Sequence, residues 1–131
     1  MLPGLTITST QAGPLFDGRA RRAVDGFLEE ASSEIAQAGV NEVQARLGQV
    51  LQNPTGAYES RIVTDLVRGD HVVTDGGVIY GPWLEGTSER NKTSRFKGYS
   101  VFRKTVQWLQ GRAPDIAQKA LPRHLDRMGG E

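Results

Sequence analysis

Two histidines, His71 and His124, are the side chains of this sequence best suited to metal binding or base catalysis near neutral pH. They fall in different elements, without Asp or Glu beside them at ligand spacing, so each reads as a structural or surface residue. Asp65, Asp75 and Glu85 lie near a short predicted sheet and form a set that could bind a divalent cation for phosphodiester hydrolysis. Nucleases of that design place a strand lysine close to the carboxylates. No lysine lies between residues 47 and 91, and the three acids read as solvent-facing strand residues. There is no Gly-x-Ser-x-Gly elbow, no phosphate-binding Gly-x-x-x-x-Gly-Lys-Ser/Thr loop and no strand-linked Gly-x-Gly-x-x-Gly. Cysteine is absent, which removes thiolate nucleophiles, Cys-ligated zinc and disulfides. No catalytic, cofactor or metal site is nominated, and the chain reads as a non-enzyme. Asn91-Lys92-Thr93 fits a glycosylation sequon, but the N-terminus lacks a secretory pattern, so the match reads as chance.

Charge is the second source of chemistry. The net value of +1 argues against coating nucleic acid by bulk charge. Its distribution is uneven, because residues 87–104 hold six basic side chains and one acidic one, whereas residues 1–86 sum to −5. The basic residues are Arg90, Lys92, Arg95, Lys97, Arg103 and Lys104. Three readings of residues 86–98 stay open: a solvated surface loop, a protein contact, or a phosphate-backbone contact. Phe96 and Tyr99 flank Lys97, which suits base stacking, but Phe96 suits equally a hydrophobic anchor at the loop's end. Trp83 and Trp108 read as core or interface anchors.

These residues need a scaffold, and 131 residues with 37% hydrophobic and 24% charged side chains provide one domain with a modest core. No segment is long and apolar enough to span a bilayer. Residues 1–15 carry no charge and alternate Leu5 and Ile7 with threonines, which predicts an apolar, strand-like arm lying on its own domain or adding to another chain. Asp17 is placed to cap a helix whose apolar spacing runs to Leu51. An unbroken helix from Gly18 to Gln52 would be ~50 Å long, with a bend or break expected near Gly39, where the spacing slips. Asn53-Pro54-Thr55-Gly56 ends it. Tyr58–Arg68, His71–Asp75 and Val78–Tyr80 predict a three-stranded antiparallel meander, with turns at Gly69-Asp70 and Asp75-Gly76-Gly77. Its expected core face includes Ile62, Val63, Leu66, Val67, Val72, Val73, Val78 and Ile79. Tyr80, Trp83 and Leu84 are expected to pack on the first helix. Helical spacing returns from Val101, with Pro114 opening a second segment and Pro122 kinking or ending it. The predicted fold is α+β: a long N-terminal helix on a small meander, then C-terminal helical segments. The division is an arm at 1–15, a folded core at 16–125 and a frayed tail at 126–131.

The order of these elements, with Pro54-Thr55-Gly56 before the first strand and Tyr80-Gly81-Pro82-Trp83-Leu84-Glu85-Gly86-Thr87 after the last, resembles the neck and tail-completion proteins of long-tailed bacteriophages. That family groups the lambda Z-type tail-completion protein with the gene-ten product of phage HK-ninety-seven. The stretch Arg95–Phe102, RFKGYSVF, is similar to the form in phages of actinobacteria. Two features depart from the pattern: Glu85 runs straight into Gly86, and Phe96-Lys97-Gly98-Tyr99 stands where a Pro-Phe segment is common. The resemblance implies a non-enzymatic head–tail connector or tail-completion subunit that forms or joins a ring, six- or twelve-fold in the virion. Its implied partners are further copies of itself, other neck, connector and tail proteins, and DNA passing through the channel, with no membrane. Its implied location is the neck of the virion, after assembly in the host cytoplasm. Leu5, Ile7, Trp83, Glu85, Arg90, Lys92, Arg95, Phe96 and Lys97 are the expected interface residues. A small nucleic-acid-binding protein using residues 87–104 is the alternative.

Overall fold

A computed structural model describes residues 3–8, 18–51 and 56–128. The elements in chain order are β1 (Gly4–Ile7), α1 (Gly18–Val50), a 3-10 turn at Glu59–Arg61, β2 (Val63–Val67), β3 (Asp70–Thr74), α2 (Gly81–Glu85), α3 (Glu89–Thr93) and α4 (Val101–Met128). The fold is α+β, as the residue periodicities predict: a long N-terminal helix, a three-stranded antiparallel sheet and a C-terminal helical region. Asp17, Pro54 and Thr55 lie outside the described residues, as do residues 129–131 of the expected tail.

α1 runs as one unbroken helix through Gly39. It buries Ala36, Val40, Val43 and Leu47, at steps of three and four residues that line one face. Gly39 sits where α1 passes close to both β3 and α4. A Cβ on it would lie 3.2 Å from Val73 Cγ2 and 3.3 Å from Leu109 Cδ1. The slip in spacing therefore marks a close approach of helix to sheet, which a glycine permits, rather than a break.

The sheet has the order β1-β3-β2 with both pairings antiparallel. The β2–β3 hairpin turns on Arg68 and Gly69, both at positive φ (53° and 85°), and Val67 pairs with Asp70. This two-residue turn lies one position earlier than expected, and its left-handed geometry matches the twist of the flanking strands. Along β3, His71 and Val73 face the helices, and Leu5 pairs with Val73 in the same layer.

One sequence expectation fails here, that of a third strand at Val78–Tyr80. The third strand is β1, from the arm, and residues 78–80 form a turn into α2. Asp75 is fully buried, and accepts hydrogen bonds from Tyr58 Oη at 2.7 Å and Gly77 N at 2.9 Å. That inward tether, with Gly76 and Gly77 at positive φ, carries the chain out of the sheet. The vacant edge of β3 then takes β1. The strand of the arm thus pairs within its own domain, one of the two placements expected for it, and Leu5 joins the core.

α1 packs most extensively on α4. Val101, Phe102, Thr105 and Leu109 of α4 are buried, and its 28 residues form one helix instead of two segments. Pro114 and Pro122 each deprive a carbonyl of its helical donor, at Gln110 and Gln118. All four residues are exposed, so water can satisfy those carbonyls and the helix continues. His71 Nε2 meets Glu29 Oε1 at 2.7 Å and ties β3 to α1, so this histidine has a structural contact. The side chain of His124 lies outside the described residues.

Candidate assembly interface

Residues 81–100 build a module that the sequence presents only as a loop. Gly86 (φ 105°) and Gly98 (φ 93°) meet backbone to backbone at its base. A Cβ on Gly86 would overlap Lys97 O, and one on Gly98 would overlap the backbone of Gly86. Tyr99 N donates to Leu84 O at 2.7 Å, and Ser100 N donates to Glu85 O at 3.1 Å, closing the base. Within it, α3 opens with a capping box. Ser88 Oγ accepts from Arg90 N, and Ser88 N donates to Asn91 Oδ1 at 3.0 Å. Asn91 is buried, and its Nδ2 donates to Trp83 O at 3.2 Å and Phe96 O at 3.1 Å. Both halves of the module therefore hang on one amide. The Ser88-x-x-Asn91 spacing is the sequence signal that could have revealed it. With Nδ2 so engaged, the sequon at Asn91 is not presented for modification.

The expected interface residues fall into two groups. Leu5 and Ile7 lie in β1, the first buried and the second half-buried against the core. The others gather around the module. Trp83 and Phe96 rings lie 5.0 Å apart, Phe96 and Tyr99 rings 4.9 Å apart in an edge contact, and Arg90 stands 5.4 Å over Trp83. Trp83 thus packs on Phe96, and Tyr80 lies half-exposed against Tyr58 with ring centroids 5.5 Å apart, while Leu84 joins the core. Glu85 reaches over to the start of α4, where its two oxygens accept from Phe102 N (2.9 Å) and Arg103 N (3.0 Å). The carboxylate satisfies two orphan donors and meets the positive end of the helix dipole. Lys97 Nζ donates to Asn91 O and Lys92 O, both at 3.1 Å, and caps α3 at its C-terminal end. Lys92 pairs with Glu89 at 3.2 Å on the surface. Arg95, Arg103 and Lys104 are exposed.

Of the three carboxylates weighed for metal, Asp75 and Glu85 are therefore held by internal donors, and Asp65 is exposed on β2. Burial, and then the hydrogen bond to Asp75, pushes the Tyr58 hydroxyl far above its ordinary range.

Sequence reasoning missed the most open apolar surface. Val63, Leu66 and Val67, expected in the core, are 46%, 60% and 49% exposed, and Ile79 is 96% exposed. The reason lies in the strand order. β2 is an edge strand, and all five of its residues stay exposed, whereas β3 lies in the middle of the sheet. At the opposite edge, a groove of ≈ 390 Å³ runs along residues 4–8, floored by Ile35, Val106, Leu109 and Ala113. What the described residues offer for binding is thus two unpaired sheet edges, a rigid basic module and an exposed isoleucine. Compared with family models, with curated proteins and with solved structures, the chain matches none.

Proposed function

We propose that this chain is a structural subunit of a long-tailed phage virion, a neck or tail-completion protein that forms or joins a ring between head and tail. The observation that carries the reading is the pair of open sheet edges. β2 presents three large apolar side chains to solvent, and natural edge strands are ordinarily shielded by charge, proline or a bulge. A surface of that kind is suited to completion by another chain. The resemblance of Tyr80–Thr87 and of Arg95–Phe102 to phage neck proteins gives the setting.

The nucleic-acid reading is less well supported. Trp83 and Phe96 stack on each other rather than offering a free platform, and Lys97 is spent on backbone carbonyls. Of the basic stretch, Arg95, Arg103 and Lys104 are exposed for passing contact with DNA.

The test is an amber mutation in the gene of the phage that encodes the chain. Filled heads and separate tails should accumulate, and added purified subunit should join them. Joined, infectious particles lacking the subunit would refute the reading.

A further inference from the structure

We infer that copies of this chain associate edge to edge, with β2 of one copy seated as a fourth strand on the free edge of β1 of the next. The inference rests on the ring-subunit reading, for which it supplies the contact between copies.

The two edges are complementary in chemistry. Among the described residues β1 pairs with β3 on one side only, which leaves the other row of its backbone donors and acceptors open there. Five consecutive residues of this segment, 4–8, line the groove, none of them is charged, and the helices supply Ile35, Val106, Leu109 and Ala113 with one polar residue, Gln110. β2 has the matching properties. It exposes Leu66 on the helical face of the sheet and Val63 and Val67 on the other face with Asp65, its one charge, and it contains no lysine or proline.

Register decides which side chain enters. Leu66 pairs with His71, a residue that faces the helices, so Leu66 points to the helical side of the sheet. Laid beside β1, it comes to lie over Ile35, Val106 and Leu109. Asp65 pairs with Val72 and keeps to the opposite face, clear of the apolar floor. Direction follows from topology. β1 and β2 both run antiparallel to β3, so a ring that repeats the sheet by rotation joins β2 to β1 in parallel.

Charge favours the same occupant. Arg103 is exposed on the helix stripe of Val106, Gln110 and Ala113, one turn nearer the start of α4. Asp75 and Glu85 are held internally, so the surface of the segment that bears β2 carries Glu59, Asp65 and Asp70 against Arg61 and Arg68, a slight acidic excess. The rival pairing, β2 with β2 about a two-fold axis, leaves the groove uncovered. Centred on the strand's middle residue, it also sets Asp65 against Asp65. One heterologous contact uses both open edges at once, and it closes into a ring when the rotation permits.

The chain has no cysteine, so engineered thiols report cleanly. Thr6 and Asp65 both stand level with Val72, on the face away from the helices. Thr6→Cys and Asp65→Cys variants, each with a different tag, are mixed and treated with a bis-maleimide spanning about 10 Å, which tolerates a shift of one residue pair at ~7 Å. The expected result is a mixed cross-linked dimer from the mixture and none from either variant alone. Adding Leu66→Lys to the Asp65→Cys partner should cut the mixed product about tenfold. Cross-linking of Asp65→Cys with itself would overturn the proposal in favour of two-fold pairing. Oligomers seen by light scattering without the mixed product would overturn this contact and leave the ring reading standing. A chain that stays monomeric and forms no mixed product would also overturn it. Failure of the ring reading itself shows separately, as normal joining in the amber lysate.

Discussion

Gly86 and Gly98 touch backbone to backbone, and this contact turns residues 87–97 from a loop into a closed module. Each glycine is at positive φ and neither has room for a Cβ. Gly98→Ala should therefore destabilise the protein by about 2–4 kcal/mol, combining left-handed strain with a steric overlap. Gly48→Ala is the control. Gly48 lies in α1, a Cβ there would meet nothing within 4 Å, and the substitution should stabilise by up to ~1 kcal/mol. Urea denaturation of the two variants checks both signs.

Asn91→Ala should cost about 2–4 kcal/mol, because it strips the carbonyls of Trp83 and Phe96 of a buried donor. The ring pair should loosen with it. Loss of the near-ultraviolet dichroism of Trp83, at retained far-ultraviolet signal, is the expected readout.

Tyr58 links stability to alkaline pH. Its hydroxyl titrates far above its ordinary value of 10.0 in the folded state, chiefly because it is buried. The unfolded chain therefore releases this proton first. The sign follows: the contribution is intact below about pH 10 and is lost progressively as pH rises above it. Tyr58→Phe should remove this part of the alkaline decline. At neutral pH it should cost about 1–3 kcal/mol, since buried Asp75 Oδ2 loses its donor. Denaturation midpoints between about pH 7 and 11 check both statements.

The basic residues separate by role. Lys97→Glu should destabilise the module, because Lys97 caps α3 from within. Arg95→Glu and Lys104→Glu should leave stability within about 0.5 kcal/mol and instead slow assembly, an effect that fades at high salt. Stopped-flow association at two ionic strengths distinguishes the classes.

The long helix, the hairpin and the start of α4 were legible because local periodicity encodes them. Leu5 and Ile7 read as a strand for the same reason. Their partner was not legible, since pairing between residues 5 and 73 is a non-local choice made by whichever edge is vacant. The doublets Val72-Val73 and Leu66-Val67 blurred the alternation that separates face from face, so the exposed edge at β2 read as core. The basic stretch 87–104 was visible as composition. Which of its cations are internal was not, because Lys97 and Arg90 find their partners only once Gly86 and Gly98 close the base.

The central claim is that the chain is a ring subunit at the head–tail junction. Immunogold labelling of purified virions with an antibody to the chain tests it most directly. A ring subunit at that place predicts label confined to the neck between head and tail, on nearly every joined particle. Joined particles without label, whose dissociated proteins also lack the chain by mass spectrometry, would contradict it.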